Sequence, residues 1–275
     1  MERAIAYSFL NMPVPKDERV SKFNLITLLE IEESGLIKLE SCGPGYIVKI
    51  PFVFLRCYLE TATDPFKKFW NEIFLGEEIY WQKWEAFNRK YLAFRLSLFT
   101  ALGESNIPLC DFFHGCLTNL QDDFELLIPA MDDIKLVDAG RRYPRSRMKD
   151  LEDYSFILNA DGAEFDGFVF IRVQRKGTKK VEKMILALQM KSSNSAQGQK
   201  ITNKMIKEEY NKVKEAMDKF HKGVKFILVI LGRCDFESKG KVKEPILPNN
   251  VVLVTMSEHE QFYGLNYLRR FKHRL

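Results

Sequence analysis

The chain has 275 residues, of which 46% are hydrophobic and 29% charged; these ordinary globular values exclude a disordered, collagen-like or disulfide-stapled protein. Its net charge is +5, but residues 1–150 sum to −3 and residues 151–275 sum to +8. The basic second half fits a nucleic-acid partner, because Lys and Arg displace phosphate counterions, and it equally fits a basic soluble domain without such a partner.

The apolar runs and the cysteines bear on the cell compartment. No run approaches the roughly 20 residues of a membrane helix, and residues 1–12 lack the charged and apolar regions of a signal peptide. We therefore expect no membrane partner. An odd number of cysteines without regular spacing predicts a reduced, intracellular environment. The cysteines are Cys42, Cys57, Cys110, Cys116 and Cys234.

The first segment with a clear pattern spans residues 24–60. A short amphipathic helix ends at Gly35, two short strands flank a turn at residues 42–45, and a second helix follows Pro51. Helix, hairpin and helix in this order are typical of a winged-helix module, although a simple packing cap would give the same pattern. We expect a helical or winged-helix-like region over residues 1–70 and the main domain over residues 71–275.

Residues 64–102 predict a long helix with a heavy apolar face, because large apolar side chains recur at spacings of three and four. These side chains are Trp81, Trp84, Phe87, Tyr91, Phe94, Leu98 and Leu102.

Residues 103–153 are predicted to be irregular. Within them, CDFFHGC places His114 between two thiols, which indicates either buried thiols beside aromatic rings or a zinc site that lacks a fourth ligand. The basic run RRYPRSR indicates a solvated loop or a loop that contacts phosphate through Arg141, Arg142 and Arg145.

The second half of the chain predicts strands and one helix. Strands are expected at 154–160, 165–173, 182–191, 224–232 and 249–256, and a helix at 201–220. A basic hairpin turn, RKGTKK, joins the second and third strands. The helix joins two strands of one sheet, which implies that these strands are parallel and that the fold class is α/β.

Three polar residues fall at meaningful places in these strands. Asp166 opens the second strand, and Gln189 and Lys191 lie near the end of the third. Residues i and i+2 of a strand face the same side, so Gln189 and Lys191 are expected to point together, away from Leu188 and Met190. If the two strands form a hairpin, Asp166 lies opposite this pair. The alternatives are a turn residue beside Gly167 and a solvated strand end.

Such a set of groups is suited to phosphodiester hydrolysis. A divalent cation prefers hard oxygen ligands such as a carboxylate and a carbonyl, neutralises charge on the scissile phosphate and lowers the pKa of bound water. A lysine beside it can stabilise the developing negative charge.

These residues resemble the PD-(D/E)XK, or restriction-endonuclease-like, superfamily. FDGFVFI followed by ILALQMK is similar to its paired motifs, and the order of helix, three-stranded meander, helix and strand is similar to its core. The chain departs from the pattern in two ways, because no proline precedes Asp166 and Gln189 replaces the usual acid. The resemblance implies an Mg²⁺- or Mn²⁺-dependent endodeoxyribonuclease. It makes Asp166 and Gln189 metal ligands and Lys191 the catalytic lysine.

A narrower resemblance covers about residues 81–256. The runs WEAFNRKYLAFRLSLF, IPLCDFFHG, GAEFDGFV and LALQMKSS are similar to the C-terminal domain of Crinkler-type effectors. This resemblance implies secretion, virulence, action in a host nucleus and partnership with host nuclear proteins or an ATPase module. Residues 24–60 would then match the helical or winged tail of the ATPase module. No phosphate-binding loop is present, so the chain is expected to be a fragment or a member without the ATPase. Glu85 matches an acid that many members place on their first helix; pairing with Arg89 is the alternative.

Two functional hypotheses follow from the sequence. The first is a metal-dependent endonuclease that cleaves DNA, with Lys179, Lys180 and Lys204 joining the three arginines as contacts to nucleic acid. The second is a catalytically inactive nuclease-fold module that binds DNA or a host protein, in which Gln189 marks lost chemistry. A surface that binds only proteins is a third alternative, and it predicts no salt-dependent affinity for DNA.

Overall fold

The computed structural model describes residues 2–20, 25–61, 70, 84–140, 142–143, 151–191, 200–237 and 244–264. The helices in this part of the chain are α1 (Glu2–Leu10), α2 (Leu28–Glu33), α3 (Phe52–Thr61), α4 (Trp84–Leu102), α5 (Leu109–Phe112), α6 (Asn203–Phe220) and α7 (His259–Tyr263), with 3₁₀ turns at Met131–Asp133 and Met256–Glu258. The strands are β1 (Lys38–Cys42), β2 (Gly45–Lys49), β3 (Asn106–Pro108), β4 (Leu117–Thr118), β5 (Phe124–Leu127), β6 (Lys135–Asp138), β7 (Ser155–Leu158), β8 (Gly167–Arg175), β9 (Val181–Lys191), β10 (Lys225–Gly232) and β11 (Val251–Val254).

The predicted order of helix, hairpin and helix is confirmed near the N-terminus. Thr27 caps α2 in a capping box with Glu30, and β1 and β2 form an antiparallel pair that turns at Gly43 with φ of 55°. Apolar side chains of α1, α2, β2 and α3 belong to the same hydrophobic core as α4. This region therefore shares its core with the rest of the chain, and its likeness to a winged helix and the boundary at residue 70 stay predictions.

The second half of the chain forms the predicted mixed α/β arrangement. Strands β7, β8 and β9 form an antiparallel meander, and β10 pairs parallel to both β9 and β11. Helix α6 connects β9 to the parallel strand β10, as the sequence predicted. Each of the five predicted strands is present, with ends that differ by a few residues.

The prediction of an irregular segment over residues 103–153 was wrong. This segment contributes β3, β4, β5 and β6, all of which join the large sheet, and the short helix α5. Each of these strands has two to four residues. Elements of this length are shorter than the window over which hydrophobic periodicity can be detected. Their pairing partners lie far away in the sequence, so local pattern carries no signal for them.

The connection between β4 and β5 requires a curled sheet. The sheet order is β3-β5-β8-β9-β10-β11-β4, so four strands separate β4 from β5. Five strand spacings cover about 24 Å in a flat sheet. The chain between Thr118 and Phe124 can span at most about 21 Å even when fully extended. The sheet must therefore curl to bring β4 and β5 within reach.

Two apolar layers cover the two faces of this sheet. On one face, α4 packs against alternate residues of β9 and β10, among them Leu188, Met190 and Leu231. On the other face, α6 packs through Ile206, Val213 and Met217 against a second set, which includes Ala187 and Ile230. The alternation along β9 follows the two-residue period of a strand. Helix α4 thus lies in the core, as its apolar face predicted. Most of the predicted stretch before Trp84, with Trp81, lies outside the described residues.

A fully buried arginine connects α4 to two distant segments. The Arg95 guanidinium donates hydrogen bonds to the carbonyl oxygens of Phe112 (2.6 Å), His114 (2.9 Å) and Phe262 (3.0 Å). Gly115 allows the close packing of this region, because a Cβ atom there would lie 2.7 Å from the Gln261 carbonyl carbon. The Arg95 cluster therefore fixes α5 and α7 onto α4.

No helix among the described residues is long and apolar enough to cross a membrane.

We predict that Arg95→Met lowers the free energy of unfolding by about 3 kcal/mol or more, because three buried carbonyl groups lose a charged donor. Urea unfolding followed by tryptophan fluorescence measures the change. Arg56→Met is the matched control: Arg56 pairs with Glu60 one turn along the exposed face of α3, and its loss should leave the free energy of unfolding nearly unchanged. Equal effects of the two substitutions would contradict this role for Arg95.

Candidate functional site

Asp166 lies at the start of β8, opposite the end of β9. Its backbone N–H donates to the Leu188 carbonyl (3.0 Å), and its carboxylate Oδ2 accepts a hydrogen bond from the Met190 N–H (2.6 Å). The next residue must be small, since a Cβ on Gly167 would lie 2.8 Å from the Ile157 carbonyl oxygen. The sequence pair Asp-Gly therefore places a carboxylate where three strands come close together.

Gln189 lies beside this carboxylate. Its amide Nε2 donates to Asp166 Oδ1 at 3.3 Å, and the residue is only 4% exposed. The amide oxygen Oε1 is buried and has no hydrogen-bond partner among the described residues. A buried acceptor without a donor is costly, which makes this oxygen a candidate ligand atom.

Lys191 occupies the same face of β9, two residues further on. Its ammonium Nζ lies 2.6 Å from Oε1 of Glu209 on α6. Leu188 and Met190 belong to the core on the α4 face, so the predicted alternation of side chains is confirmed. Gln189 and Lys191 accordingly point toward the side of the sheet that α6 covers.

Glu85 approaches the same end of the sheet from α4. The preceding residue, Trp84, is buried and donates from its indole Nε1 to the Leu231 carbonyl at the end of β10 (3.1 Å). Arg89 does not pair with Glu85; its guanidinium binds the Asp138 carboxylate and the Val137 carbonyl. The alternative reading of Glu85 as the ion-pair partner of Arg89 is therefore wrong.

Electrostatic interactions link the two candidate acids. Partial desolvation raises the pKa of Glu85, the negative charges of Asp166 and Asp161 raise it further, and Lys191 lowers it. Burial raises the pKa of Asp166, although the Met190 N–H and the charge of Lys191 act in the opposite direction. Both carboxylates are therefore harder to ionise in the folded protein than in water, because the nearby positive charge does not compensate for burial and neighbouring negative charge.

A buried asparagine organises the loop that leads to Asp166. Asn159 Oδ1 accepts from the Tyr143 N–H (2.9 Å), and its Nδ2 donates to the carbonyls of Tyr143 and Phe165 (both 2.9 Å). This contact holds Arg142 against the turn at residues 161–162, where Arg142 Nε donates to the Asp161 carbonyl (2.6 Å). Arg142 therefore lies beside the turn at residues 161–162, and the charge of Asp161 in that turn contributes to the raised pKa of Glu85. The predicted contacts Arg141 and Arg145 lie outside the described residues.

The predicted lysine contacts occupy different places. Lys204 lies in the first turn of α6, 84% exposed and 3.8 Å from Glu208. That helix begins at the same end of the sheet as Asp166, because Ile201 bridges to Phe236 just beyond β10. In contrast, Lys179 and Lys180 lie at the β8–β9 turn. Gln174, the last residue of β8 that pairs with β9, lies about 26 Å along the strand from Asp166, so the structure does not bring these two lysines to the site.

The run CDFFHGC serves the core. His114 uses its carbonyl to bind Arg95, and burial lowers the pKa of its ring. Burial also raises the pKa of both the Cys110 and Cys116 thiols. Over the described part of the chain, no group of three or more His, Cys, Asp or Glu side chains could hold a metal ion. A cation at the candidate site would have to use the carboxylates of Glu85 and Asp166 together with the Gln189 amide oxygen.

A cavity of about 360 Å³ lies elsewhere, at the opposite end of β9 and β10. Phe124, Met184 and Phe226 line it, and Lys225 lies at its rim. None of the candidate site residues contacts this cavity. It therefore contributes nothing to the chemistry at Asp166.

Sequence reasoning missed Asn159 and Glu209. Glu209 could have been found, because it lies three residues after Ile206 and four before Val213, both of which face the core. A charged residue on the apolar stripe of a helix indicates a buried partner. Asn159 gave no comparable signal, since an asparagine two residues ahead of an Asp-Gly pair is typical of an ordinary turn.

Comparison of the chain with protein-family models, curated proteins and solved structures finds no match. The fold and the geometry of the site therefore carry the functional argument.

We predict that Asp166→Asn raises the melting temperature at pH 7. The raised pKa of Asp166 means that ionisation costs stability in the folded state. This cost is absent below the unfolded pKa, which is about 3.9, and grows as the pH rises through the folded pKa. The gain in melting temperature should therefore shrink as the pH falls from 7 to 4. Thermal unfolding of both proteins across this range measures it.

Asp122→Asn is the control with the opposite sign. A hydrogen bond from Lys176 lowers the pKa of Asp122, so ionisation stabilises the folded protein above the unfolded pKa. This substitution should lower the melting temperature at pH 7, with a difference that disappears in acid. A melting temperature of Asp166→Asn below that of the wild type at pH 7 would contradict the electrostatic assignment.

Proposed function

We propose that the chain is a metal-dependent endonuclease that hydrolyses phosphodiester bonds of DNA. The supporting observation is the convergence of Glu85, Asp166, Gln189 and Lys191 at one end of a sheet, from a helix and two strands. Two acids, an amide oxygen and an ammonium group are the groups that phosphodiester hydrolysis requires.

The arrangement of elements supports a restriction-endonuclease-like core. Helix α4 is followed, after the short strands of the curled sheet, by the antiparallel meander β7–β9, then α6 and the parallel strand β10. This order resembles that of the PD-(D/E)XK superfamily. In this proposal Asp166 and the Gln189/Lys191 pair correspond to the motifs of that superfamily.

The residues present fit a divalent cation. Glu85 and Asp166 have raised pKa values, and the buried Oε1 of Gln189 has no hydrogen-bond partner among the described residues. A cation held by these residues would compensate both carboxylates and give that oxygen a partner. When bound, Mg²⁺ or Mn²⁺ supplies charge neutralisation at the phosphate and an acidified water.

The side chains of the protein have distinct roles in this proposal. Asp166 and Glu85 hold the negative charge that selects a cation, and Gln189 fixes the orientation of Asp166 through its Nε2. Lys191 donates to a non-bridging phosphate oxygen, where charge grows as water forms a bond to phosphorus and the bond to the leaving oxygen breaks. Arg142, which lies beside the turn at residues 161–162, binds a flanking phosphate in this proposal.

The resemblance to Crinkler-type effectors supports a further part of the proposal. It suggests that the nuclease is secreted and acts in a host cell, in the nucleus, in association with host nuclear proteins or with an ATPase module. This part rests on the serial order of the quoted sequence runs alone.

We predict that the purified chain nicks supercoiled plasmid with Mg²⁺ or Mn²⁺ and not with EDTA. Asp166→Asn and Glu85→Gln should each reduce the nicking rate by at least about 100-fold, because each removes negative charge at the site without changing its shape. Gel electrophoresis of plasmid over time measures the rate. These isosteric variants are preferable to Lys191→Ala, which would leave the carboxylate of Glu209 without its partner.

Lys179→Met is the control for these variants, since Lys179 lies at the distant β8–β9 turn. It should retain the wild-type nicking rate within about twofold. Equal nicking by the wild type and Asp166→Asn would show that the activity belongs to another protein or another site.

A second function is favoured by one observation. No group of three acids, histidines or cysteines forms at the site within the described ranges, and a neutral amide holds a cation less tightly than a carboxylate. The alternative is therefore a catalytically inactive module that binds DNA or a host protein. It would shift DNA in a gel equally well with and without EDTA.

Binding to DNA gives a prediction for Arg142. Arg142→Gln should weaken DNA binding and lower the slope of log affinity against log salt by about one, because one phosphate contact is lost. Fluorescence anisotropy with a labelled duplex at several salt concentrations measures this slope. Lys38→Gln, on the exposed strand β1 and beside Glu40, should leave the slope unchanged.

A further inference from the structure

We propose that Glu209 is a positioning residue that holds the ammonium group of Lys191 at the candidate active site. This inference rests on the proposed function, because it assigns a role in the same reaction. It starts from the contact of 2.6 Å between Lys191 Nζ and Glu209 Oε1, which joins the end of β9 to the second turn of α6.

Burial makes this contact different from the other ion pairs of α6. The Lys191 and Glu209 side chains are 26% and 17% exposed, whereas the Lys204 and Glu208 side chains are 84% and 61% exposed. An exposed pair is weakened by water and gives little orientation to its members. A largely buried pair fixes one geometry, because neither charge can turn toward solvent without losing its partner.

The position of Glu209 on the helix supports the assignment. Ile206 and Val213, on either side of it along the apolar stripe, are fully packed in the core, and Thr202 caps the start of α6 by accepting from the Met205 N–H. The helix backbone is thereby fixed against the sheet. Glu209 consequently presents its carboxylate at a constant place, which a flexible surface residue could not do.

The second carboxylate oxygen of Glu209 has an ion-pair contact but no hydrogen bond among the described residues. Oε2 of Glu209 is buried and has no hydrogen-bond partner in the part of the chain that the structure describes; Lys212 Nζ lies 3.9 Å from it. The negative charge of Glu209 also contributes to the raised pKa of Asp166, so Glu209 lies within electrostatic reach of the candidate acids.

The ammonium of a lysine has three N–H donors. Glu209 accepts one of them, which leaves two that can bind oxygens of a phosphate beside Asp166. The contact limits rotation of a side chain with four rotatable bonds, so less entropy is lost when the phosphate binds. Glu209 thus has a role in orientation without touching the substrate.

Amine labelling tests this placement independently of DNA cleavage. The folded protein is treated briefly with acetic anhydride, and the acetylated fraction of Lys191 is measured by mass spectrometry relative to that of Lys179. Glu209→Gln should raise this ratio several-fold, since the lysine gains freedom and exposure. Glu208→Gln is the matched control on the same helix turn and should leave the ratio unchanged.

Unchanged labelling of Lys191 in Glu209→Gln overturns the proposal, and so does an equal rise in Glu208→Gln. If Glu209→Gln does not fold, Glu209→Asp replaces it, and its shorter side chain should give an intermediate rise in the labelling ratio.

In plasmid nicking, Glu209→Gln should lower kcat by about 10- to 100-fold with little change in KM, and Glu208→Gln should leave kcat unchanged. Absence of nicking by the wild type would overturn the proposed function, while the labelling ratio would still report whether Glu209 holds Lys191.

Discussion

The short connection between β4 and β5 is the constraint on which the rest of the fold depends. It is too short to cross a flat sheet, so the sheet curls and brings β4 close to β5, although four strands lie between them in the sheet order. Trp84, in the first turn of α4, binds the Leu231 carbonyl at the end of β10, and Phe94, further along the helix, packs against Phe9 of α1. The curl therefore places the first turn of α4, with Glu85, beside the strand ends that carry Asp166 and Lys191.

The charged and polar groups at the candidate site lower the stability of the folded protein. Two acids with raised pKa values and an amide oxygen without a hydrogen-bond partner lie within one small region, while the neighbouring ammonium is committed to Glu209. A sequence selected for stability alone would place apolar or well-paired residues there. Unfavourable electrostatics of this kind are typical of functional sites, and they complement a bound cation and a phosphate.

The long strands, α6 and the pairing of Asp166 with the end of β9 could be predicted from the sequence. Their periodicity extends over eight or more residues, and an antiparallel hairpin fixes which residues face each other. The short strands β3 to β6 could not, because they exist through pairing with distant partners. The same reason applies to the site. The shared orientation of Gln189 and Lys191 follows from the two-residue period of a strand. The contacts of Glu209 with Lys191 and of Asn159 with Tyr143 depend on tertiary packing, which the local sequence does not show. The placement of Lys179 and Lys180 at the far turn follows from the length of the hairpin.

The Arg95 cluster has a consequence for the order in which the chain acquires its structure during synthesis. Two of its acceptors, the carbonyls of Phe112 and His114, lie within 20 residues of Arg95, but the third belongs to Phe262, 167 residues downstream. Tyr263 likewise reaches back 175 residues to Asn88. On the ribosome, α4 is therefore made long before the last acceptor of Arg95. Until that acceptor is made, the Arg95 guanidinium remains incompletely hydrogen-bonded on the mainly apolar face of the helix. Completion of the core is a late, long-range event, and nascent chains that stop before α7 should be recognised as incomplete by chaperones.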